Sequence, residues 1–160
     1  MVGGPIQYAF SSETAGFDSA LKATLESLIV VLDQAGYEVL SAHRTEDYGD
    51  GVVPGAEVVV RRDYDFVSSC DVYVACLPFY ENQPLRSDGT HVEIGWAVAL
   101  GKPCVILCSA NNLEAYSFLV QGLSAVARVD FYDLEQTVSS PESLVEAVTL
   151  ATKSSVGVAG

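Results

Sequence analysis

The sequence predicts an α/β fold in which helices cover both faces of an open parallel sheet. Apolar runs typical of buried strands alternate with helical patterns along the chain, the connections are short, and no internal repeat is present. The length of 160 residues suits a single domain with a sizeable core. We expect this domain to span residues 5–152 and a flexible tail to follow at residues 153–160.

The first part of the chain predicts two strands separated by a long helix. Residues 6–10 form a short apolar run, interpreted as the first strand, and residues 37–42 are interpreted as the second. Between them, Asp18 is placed to cap a helix that Gly36 ends. Its apolar residues recur with helical spacing at Leu21, Leu25, Leu28, Ile29 and Leu32. The polar, glycine-containing stretch 43–55 is long enough to be a functional loop.

The segment 56–70 has an ambiguous pattern. Its three consecutive valines favour a strand, but Val59, Asp63, Phe66 and Val67 recur with helical spacing, and we predict a helix. Residues 71–77 alternate and then become fully apolar, as expected of a central parallel strand.

After an irregular loop at residues 78–88, the chain continues the same alternation. The predicted elements are a helix at 89–100 ended by Gly101, a strand at 104–108, a short helix around 113–123, a strand at 127–132 and a last helix from Ser140-Pro141 to about residue 152.

Five strands joined in this way predict a flavodoxin-like (Rossmann-like) sheet with strand order 2-1-3-4-5. In such a sheet, ligands bind in the crevice outside the carboxyl ends of the first and third strands. The loop after the first predicted strand is Ser11-Ser12-Glu13-Thr14, and the loop after the third leads to Glu93. Both loops are therefore expected to face one crevice.

The charge balance argues against several classes of partner. Twenty-one acids against eight Lys and Arg give a net charge of −13, whereas nucleic acid and anionic membranes require a basic face. No apolar run approaches the roughly 18 residues of a membrane span, and no signal peptide is expected. The four cysteines lie in or beside apolar segments, where free thiols behave as small hydrophobes. We therefore expect a cytoplasmic protein.

Several common functional motifs are missing from the sequence. It contains no G-x-G-x-x-G, no phosphate-binding P-loop and no G-x-S-x-G. His91-Val92-Glu93 followed by Pro103-Cys104 and Cys108 looks like a zinc deaminase signature. The two cysteines, however, lie four apart on a predicted strand and thus about 13 Å from each other. This is too far for two sulfurs at about 2.3 Å from one zinc, and we expect neither metal nor cofactor.

Glu93 carries the strongest functional signal in the sequence. It lies near the start of the helix predicted at 89–100, and the residues after it in that helix carry no charge. Burying such a carboxylate is costly without a task or a partner, whereas the free N–H groups and the dipole of the first turn favour its ionised form. An ionised carboxylate there suits a nucleophile, and a plain helix-capping role is the alternative.

Three segments, between Ile6 and about Leu134, resemble the nucleoside 2-deoxyribosyltransferase family. The runs GTHVEIGWA at 89–97 and GKP at 101–103 are similar to its G-x-x-x-E-[IL]-G-x-A…G-K motif, in which the glutamate is the nucleophile. Asp63, eight residues before Asp71, is similar to an aspartate on the helix that precedes an aspartate-led strand. Residues 117–122 resemble a segment that a neighbouring subunit contributes to the active site.

Within the superfamily, the chain looks closer to the CMP and hydroxymethyl-CMP hydrolases than to the transferases, notably in Ala42-His43-Arg44. Six residues before the glutamate the transferases carry aspartate and the hydrolases serine, and this chain has Ser87. Five residues before Gly122 the transferases carry asparagine and phosphate-binding relatives carry serine, as Ser117 does here. The chain departs from the family at two places. Gln7 stands where the family has a tyrosine, although Tyr8 is the next residue of this chain. Ser11-Ser12-Glu13-Thr14 replaces a glycine- and arginine-rich phosphate loop.

The resemblance implies an N-glycosidase that hydrolyses a pyrimidine nucleoside 5′-monophosphate such as CMP to free base and ribose 5-phosphate. A 2-deoxyribosyltransferase is the alternative, and a non-catalytic binding domain on the same fold is a third possibility. Glu93 would be the nucleophile, with Asp63 and Asp88 orienting the substrate or moving a proton. The candidate substrate-binding residues are Ser87, Gly89, Ser11, Ser12, Arg44, Tyr8 and Ser117. A homodimer or higher homo-oligomer with shared active sites is also implied.

Overall fold

The computed structural model describes residues 1–6, 17–49 and 54–153. Within these ranges the strands are β1 (Val2–Gly3), β2 (Tyr73–Cys76), β3 (Phe79–Tyr80), β4 (Gln83–Pro84), β5 (Cys104–Cys108) and β6 (Val129–Asp133). The α-helices are α1 (Ser19–Gln34), α2 (Ala42–Thr45), α3 (Ala56–Ser69), α4 (Asp88–Ala99), α5 (Phe118–Gln121), α6 (Leu134–Ser139) and α7 (Glu142–Lys153).

The sheet is parallel, and its described strands follow the order β1-β2-β5-β6. Val2 pairs with Val74, Tyr73 with Cys104, and Cys104 with Val129. Strands β2 and β5 are buried along their whole length, as expected when helices cover both faces of a parallel sheet. The α/β class and the predicted order of these four strands are confirmed.

Helices pack on the two faces of the sheet as separate layers. Side chains alternate along a strand, so Val74 of β2 points to the layer of α1 and α7, while Tyr73 points to the layer of α3 and α4. On that second face, Tyr73 belongs to one apolar cluster with Val67 of α3 and Ile94 of α4. This alternation determines which helix layer Tyr73 can contact.

The first strand of the described sheet lies earlier in the chain than the predicted residues 6–10. Residues 2–3 form that strand, Ile6 is irregular, and residues 7–10 lie outside the described ranges. Two glycines after a single valine have low strand propensity, but the edge of β2 supplies the pairing. Val74 donates its backbone N–H to the Met1 carbonyl at 2.8 Å, and the Met1 ammonium group donates to the Val72 carbonyl at 2.9 Å.

The predicted second strand, at residues 37–42, is wrong, and the described part of the sheet has four strands where five were expected. This segment runs beside β1 but contributes one backbone bond to it, from the Val2 N–H to the Leu40 carbonyl at 2.9 Å. Helix α2 already begins at Ala42. Because β1 has two residues, it offers too short an edge for a regular ladder.

Four predicted helices are confirmed within one or two residues, and the last of them is α7. The Asp18 carboxylate accepts from the Leu21 N–H and caps α1, and Gly36, at φ +89°, follows its end. The ambiguous segment forms α3, where Val67 packs inward and Val58 and Val60 remain exposed. Helix α4 begins one residue earlier than expected.

The remaining connections contain short elements that the sequence did not indicate. The loop at residues 78–88 holds the antiparallel β3–β4 hairpin, whose turn places Glu81 and Asn82 at positive φ. The single helix predicted around 113–123 is instead α5 flanked by 3-10 turns at Ala110–Ala115 and Leu123–Ala125. Helix α6 precedes α7 and was not predicted.

Candidate active site

Glu93 lies on the buried face of α4, in its second turn. Glu93 is 8% exposed, and its Oε2 accepts a 2.5 Å hydrogen bond from the Tyr73 hydroxyl. No ion pair of Glu93 is found among the described residues. A buried carboxylate without a cation partner is costly to keep charged.

The approach of Tyr73 to Glu93 depends on the glycine at position 3. A Cβ built on Gly3 would lie 2.5 Å from Glu93 Oε2 and closer still to the Tyr73 hydroxyl. The tips of both side chains therefore occupy the space that the side chain of any non-glycine residue at position 3 would fill. Because Gly3 has no side chain, the Glu93 carboxylate can lie directly against the backbone of β1.

Burial raises the pKa of Glu93 from its ordinary 4.5 to about 7. The hydrogen bond from Tyr73 acts in the opposite direction, the charge of Asp63 adds to the increase, and the charge of Arg62 reduces it. The expectation that the environment of the helix start favours the ionised form of Glu93 is therefore wrong. Glu93 lies one turn beyond the free N–H groups, where loss of water outweighs the helix dipole.

Burial also raises the pKa of the Tyr73 phenol well above 10, and the neighbouring charge of Glu93 raises it further. The phenol therefore keeps its proton at neutral pH. It acts as a hydrogen-bond donor to the carboxylate and not as a base.

Glu93 lines a cavity of roughly 410 Å³ between the segment after β1 and the helices α3 and α4. The cavity is large enough for the sugar and base of a nucleotide. Four predicted site residues share its wall with Glu93, namely Asp63, Ser87, Asp88 and Gly89. The structure thus brings together residues that are up to 30 positions apart in sequence.

Asp63 belongs to a buried charge network at this cavity. Arg62 Nε donates to Asp63 Oδ1 at 2.8 Å, and Arg62 Nη2 donates to Glu46 Oε1 at 2.7 Å. Asp63 and Glu46 are both buried and both line the cavity. The guanidinium fixes the Asp63 carboxylate in place and compensates two acids near Glu93.

Asp88 and Ser87, at the start of α4, have partners of their own. Asp88 is exposed and forms a two-pronged ion pair with Arg86, and this hydrogen bonding lowers its pKa. Ser87 Oγ lies 3.2 Å from His91 Nδ1, which also contacts the Ser87 carbonyl oxygen at 2.7 Å. An ionised Asp88 accepts protons or hydrogen bonds and is a poor proton donor.

The other predicted substrate-binding residues do not line this cavity in the described part of the chain. Arg44 forms an exposed 2.5 Å ion pair with Asp33. Ser117 caps α5 by accepting from the Val120 N–H. Tyr8, Ser11 and Ser12 lie outside the described residues.

Four residues at the site were not identified from the sequence: Tyr73, Thr90, Glu46 and Arg62. Tyr73 resembled the other apolar residues of its strand in the sequence. Its contact with Glu93 depends on how α4 packs against the face of β2 that carries Tyr73. Thr90 gave a usable signal, since it precedes Glu93 by three positions on the predicted helix and must share its face. Glu46 and Arg62 lie in stretches of polar residues, and such stretches are equally typical of a solvent-exposed surface.

A larger cavity, of roughly 800 Å³, lies at the carboxyl ends of β5 and β6. Its wall includes Asp133, whose carboxylate caps α6 by accepting from the Gln136 N–H at 3.0 Å. It has no buried carboxylate comparable to Glu93 in its described wall. The smaller cavity is therefore the better candidate active site, in spite of its size.

Within the described ranges, no helix has the length and apolar character needed to span a bilayer. The same residues contain no group of three or more His, Cys, Asp or Glu arranged to hold a metal ion. All four cysteines are free and buried, and burial raises the pKa of Cys76 and of Cys104 to about 12.

The fold and the site together define a Rossmann-like α/β protein with a buried carboxylate at a nucleotide-sized cavity. The sequence profile of the nucleoside 2-deoxyribosyltransferase family matches residues 10–136, and the chain belongs to this family. The match includes α3 and α4, which supply most of the cavity wall.

Known relatives include hydrolases of nucleotide N-glycosidic bonds. A Thermofilum pendens protein provisionally named 2′-deoxynucleoside 5′-phosphate N-hydrolase 1 is 26% identical over 133 residues, covering 80% of this chain and 87% of its own. The CMP N-glycosidase BcmB of Clostridium botulinum is 27% identical with a TM-score of 0.58, over 77% of this chain and 89% of its own. BlsM is 34% identical with a TM-score of 0.70, over 92% of this chain and 88% of its own.

Proposed function

We propose that the protein is a nucleotide N-glycosidase that hydrolyses a pyrimidine nucleoside 5′-monophosphate such as CMP to free base and ribose 5-phosphate. The observation that carries this proposal is the Glu93 carboxylate, held by Tyr73 in the wall of a cavity that fits a nucleotide. The names of the Thermofilum and Clostridium relatives support hydrolysis of a nucleotide.

In the first step, the Glu93 carboxylate attacks C1′ on the face of the sugar opposite the base. The new bond joins a carboxylate oxygen to C1′, and the C1′–N bond breaks as its electron pair leaves with the base, which takes up a proton from solvent. The transition state carries positive charge at C1′, which a nearby carboxylate stabilises. The Tyr73 hydrogen bond occupies Oε2 and leaves Oε1 for the attack.

In the second step, water attacks C1′ of the glycosyl ester. The bond between C1′ and the glutamate oxygen breaks, which restores the carboxylate. One hydroxyl group of the water stays on C1′, and its other proton returns to solvent, which balances the proton taken up by the departing base. Asp63 and Asp88 are the proposed groups for orienting the substrate and moving protons. Arg86 lowers the pKa of Asp88, so its carboxylate stays ionised and suits accepting a hydrogen bond from the substrate.

The 5′-phosphate is proposed to contact Ser11, Ser12 and the partner's copy of Ser117, with Arg44 as a further donor. Two large apolar residues directly after Ser117 support a shared site, because Phe118 is 89% and Leu119 is 84% exposed. Adjacent exposed apolar side chains of this size indicate an interaction surface. We therefore propose a homodimer with shared active sites, located in the reducing cytoplasm that suits four buried free thiols.

A nucleoside 2-deoxyribosyltransferase is the second candidate, and the description of the matched family favours it. The glycosyl–glutamate intermediate would be the same. A second base, not water, would then attack C1′, and the products would be a new nucleoside and the first base.

Incubation with CMP, dCMP, cytidine and deoxycytidine, each with and without adenine, tests the proposal. We expect free cytosine from the nucleotides without adenine. Release that requires adenine and yields an adenine nucleoside would instead establish the transferase. Glu93→Ala should lower the rate at least about 10³-fold, whereas Glu142→Ala, which removes an exposed first-turn acid of α7, should keep full activity.

A further inference from the structure

The hydroxyl of Thr90 is buried in the wall of the Glu93 cavity. Thr90 is 1% exposed and lines that cavity. Its Oγ1 has no hydrogen-bond partner within the described ranges. Such a group loses free energy on burial unless something pairs with it, so the position calls for a partner supplied from the cavity.

The other polar side chains of α3 and of the start of α4 that line this cavity are already paired. Ser87 Oγ contacts His91 Nδ1, Asp88 is bonded to Arg86, and Asp63 is bonded to Arg62. Thr90 therefore differs from its neighbours in having a buried hydrogen-bonding group that is not already engaged within the described chain.

Thr90 and Glu93 lie on one face of α4. Residues three apart on a helix have their Cβ atoms about 5–6 Å from each other, and both of these side chains are buried toward the same cavity. Threonine in a helix has two accessible χ1 rotamers, so its hydroxyl turns toward a ligand without leaving a staggered conformation.

The chemistry at Glu93 determines which part of a substrate faces Thr90. A glutamate that displaces the base of a β-nucleotide attacks from the opposite face of the sugar. In a ribonucleotide the 2′-hydroxyl lies on that same face, on the carbon next to C1′. A 2′-deoxyribonucleotide has no polar group there.

We propose that Thr90 is the specificity-determining residue for the 2′ position and that its hydroxyl pairs with the 2′-hydroxyl of a ribonucleotide. This inference rests on the proposed N-glycosidase function. It commits the chain to a ribonucleoside 5′-monophosphate, as in the name of the Clostridium relative, and not to the 2′-deoxynucleotide in the name of the Thermofilum relative.

The recognition is selective because a deoxy substrate leaves the buried Thr90 hydroxyl unpaired. A binding site that pairs with a substrate hydroxyl discriminates strongly against the analogue without it. The loss of one such pairing corresponds to about 5- to 150-fold.

The test is a double-mutant cycle between the two hydroxyls, with kcat/KM measured for CMP and dCMP in the parent protein and in Thr90→Val. The intrinsic difference in reactivity between the two sugars cancels in the cycle. We expect the CMP/dCMP ratio to fall at least about fivefold in Thr90→Val. Thr90→Ser, which keeps the hydroxyl, should hold the parent ratio.

The matched control is Thr137→Val. Thr137 is a second buried threonine, 3% exposed, and its Oγ1 donates to the Asp133 carbonyl at 2.7 Å, remote from α4. This substitution should leave the ratio unchanged. A ratio that stays constant in Thr90→Val, including an equal loss for both substrates, overturns the inference while the hydrolase function stands.

Measurements of nucleotide binding test the role of Thr90 independently of the proposed hydrolase activity. Calorimetric Kd values for CMP and dCMP are measured in Glu93→Gln and in Glu93→Gln combined with Thr90→Val. A preference for CMP that the valine removes supports the inference even if the parent protein hydrolyses neither nucleotide. Equal affinities for CMP and dCMP in both proteins, or no binding of either nucleotide, overturn it.

Discussion

The Tyr73 hydroxyl donates a 2.5 Å hydrogen bond to Glu93 Oε2 and thereby joins the central strand β2 to helix α4. The two residues are 20 positions apart and meet over the backbone of Gly3. The hydrogen bond stabilises the charged carboxylate, whereas burial destabilises it. The balance gives Glu93 a pKa of about 7, so it is partly ionised at neutral pH and orientated by a donor that keeps its own proton.

Replacing Tyr73 by Phe should raise the pKa of Glu93 further above 7 and lower the rate. The hydrogen bond that favours the ionised form is lost, while burial remains. Because the attacking species is the carboxylate, kcat/KM should rise with pH to a plateau, and the midpoint should move to higher pH in the variant. We expect a loss of about 10- to 100-fold at pH 7, measured as cytosine release from CMP over a pH series.

Tyr116→Phe is the matched control for that experiment. Tyr116 is also buried and donates its hydroxyl to the Leu77 carbonyl at 2.9 Å, outside the cavity wall. The variant should lose some stability and keep the parent pH midpoint. An unchanged midpoint in Tyr73→Phe would show that the hydrogen bond does not influence Glu93.

Replacing Gly3 by Ala should disturb the same pair from the side of β1. The new Cβ would overlap the Tyr73 hydroxyl and Glu93 Oε2, and both tips are too enclosed to move freely. We expect at least about tenfold lower kcat/KM, together with a lower unfolding midpoint in urea. Gly95→Ala in α4 meets nothing within 4 Å, and it should preserve activity and add up to about 1 kcal/mol of stability. Equal activity in both variants would contradict the close packing over Gly3.

The sequence was sufficient to predict the parallel α/β class, the long helices α1, α3, α4 and α7, and the place of Glu93 on α4, because each has a local periodic signal. It failed for β1 and for residues 37–42, since a two-residue strand forms only when a neighbouring strand offers its edge. Tyr73 was missed for a related reason. Its role depends on which face of β2 meets α4, and a strand buried on both faces has the same composition on each.

The charge network at the cavity gives a stability prediction. Arg62 pairs with Asp63 and Glu46, and the side chains are 16%, 12% and 4% exposed. Arg62→Met leaves two buried acids without their cation, and we expect a loss of about 3 kcal/mol in urea unfolding at pH 7. The exposed pair of Arg44 and Asp33 provides the comparison, since Arg44→Met should cost less than about 1 kcal/mol. Similar small losses in both variants would rule out a stabilising role for Arg62.

The raised pKa of Glu93 predicts that this residue destabilises the folded protein as pH increases. The folded state holds the proton up to about pH 7, whereas the unfolded chain releases it near 4.5. The stability contribution is therefore fully present below pH 4.5 and is lost as pH rises through about 7. Between these limits it amounts to about 3 kcal/mol.

Glu93→Gln removes this titration while retaining a carbonyl oxygen that can accept from Tyr73. The variant should be more stable than the parent at pH 8 and lose that advantage toward pH 4.5. Urea unfolding of both proteins at matched pH values measures the difference. A difference that does not change with pH would mean that Glu93 has an ordinary pKa.

A mixing experiment tests the proposed shared site through Glu93 and Ser117. If each site combines Glu93 of one subunit with the partner's Ser117, Glu93→Ala and Ser117→Ala are each impaired at both sites of a homodimer. Random mixing after unfolding and refolding makes half of the dimers mixed, and each mixed dimer has one intact and one doubly altered site. About a quarter of all sites then regain both groups. Activity should therefore rise toward about a quarter of the parent value, above the mean of the two separate variants. Activity that stays at the mean would place Glu93 and Ser117 in sites that are not shared between subunits.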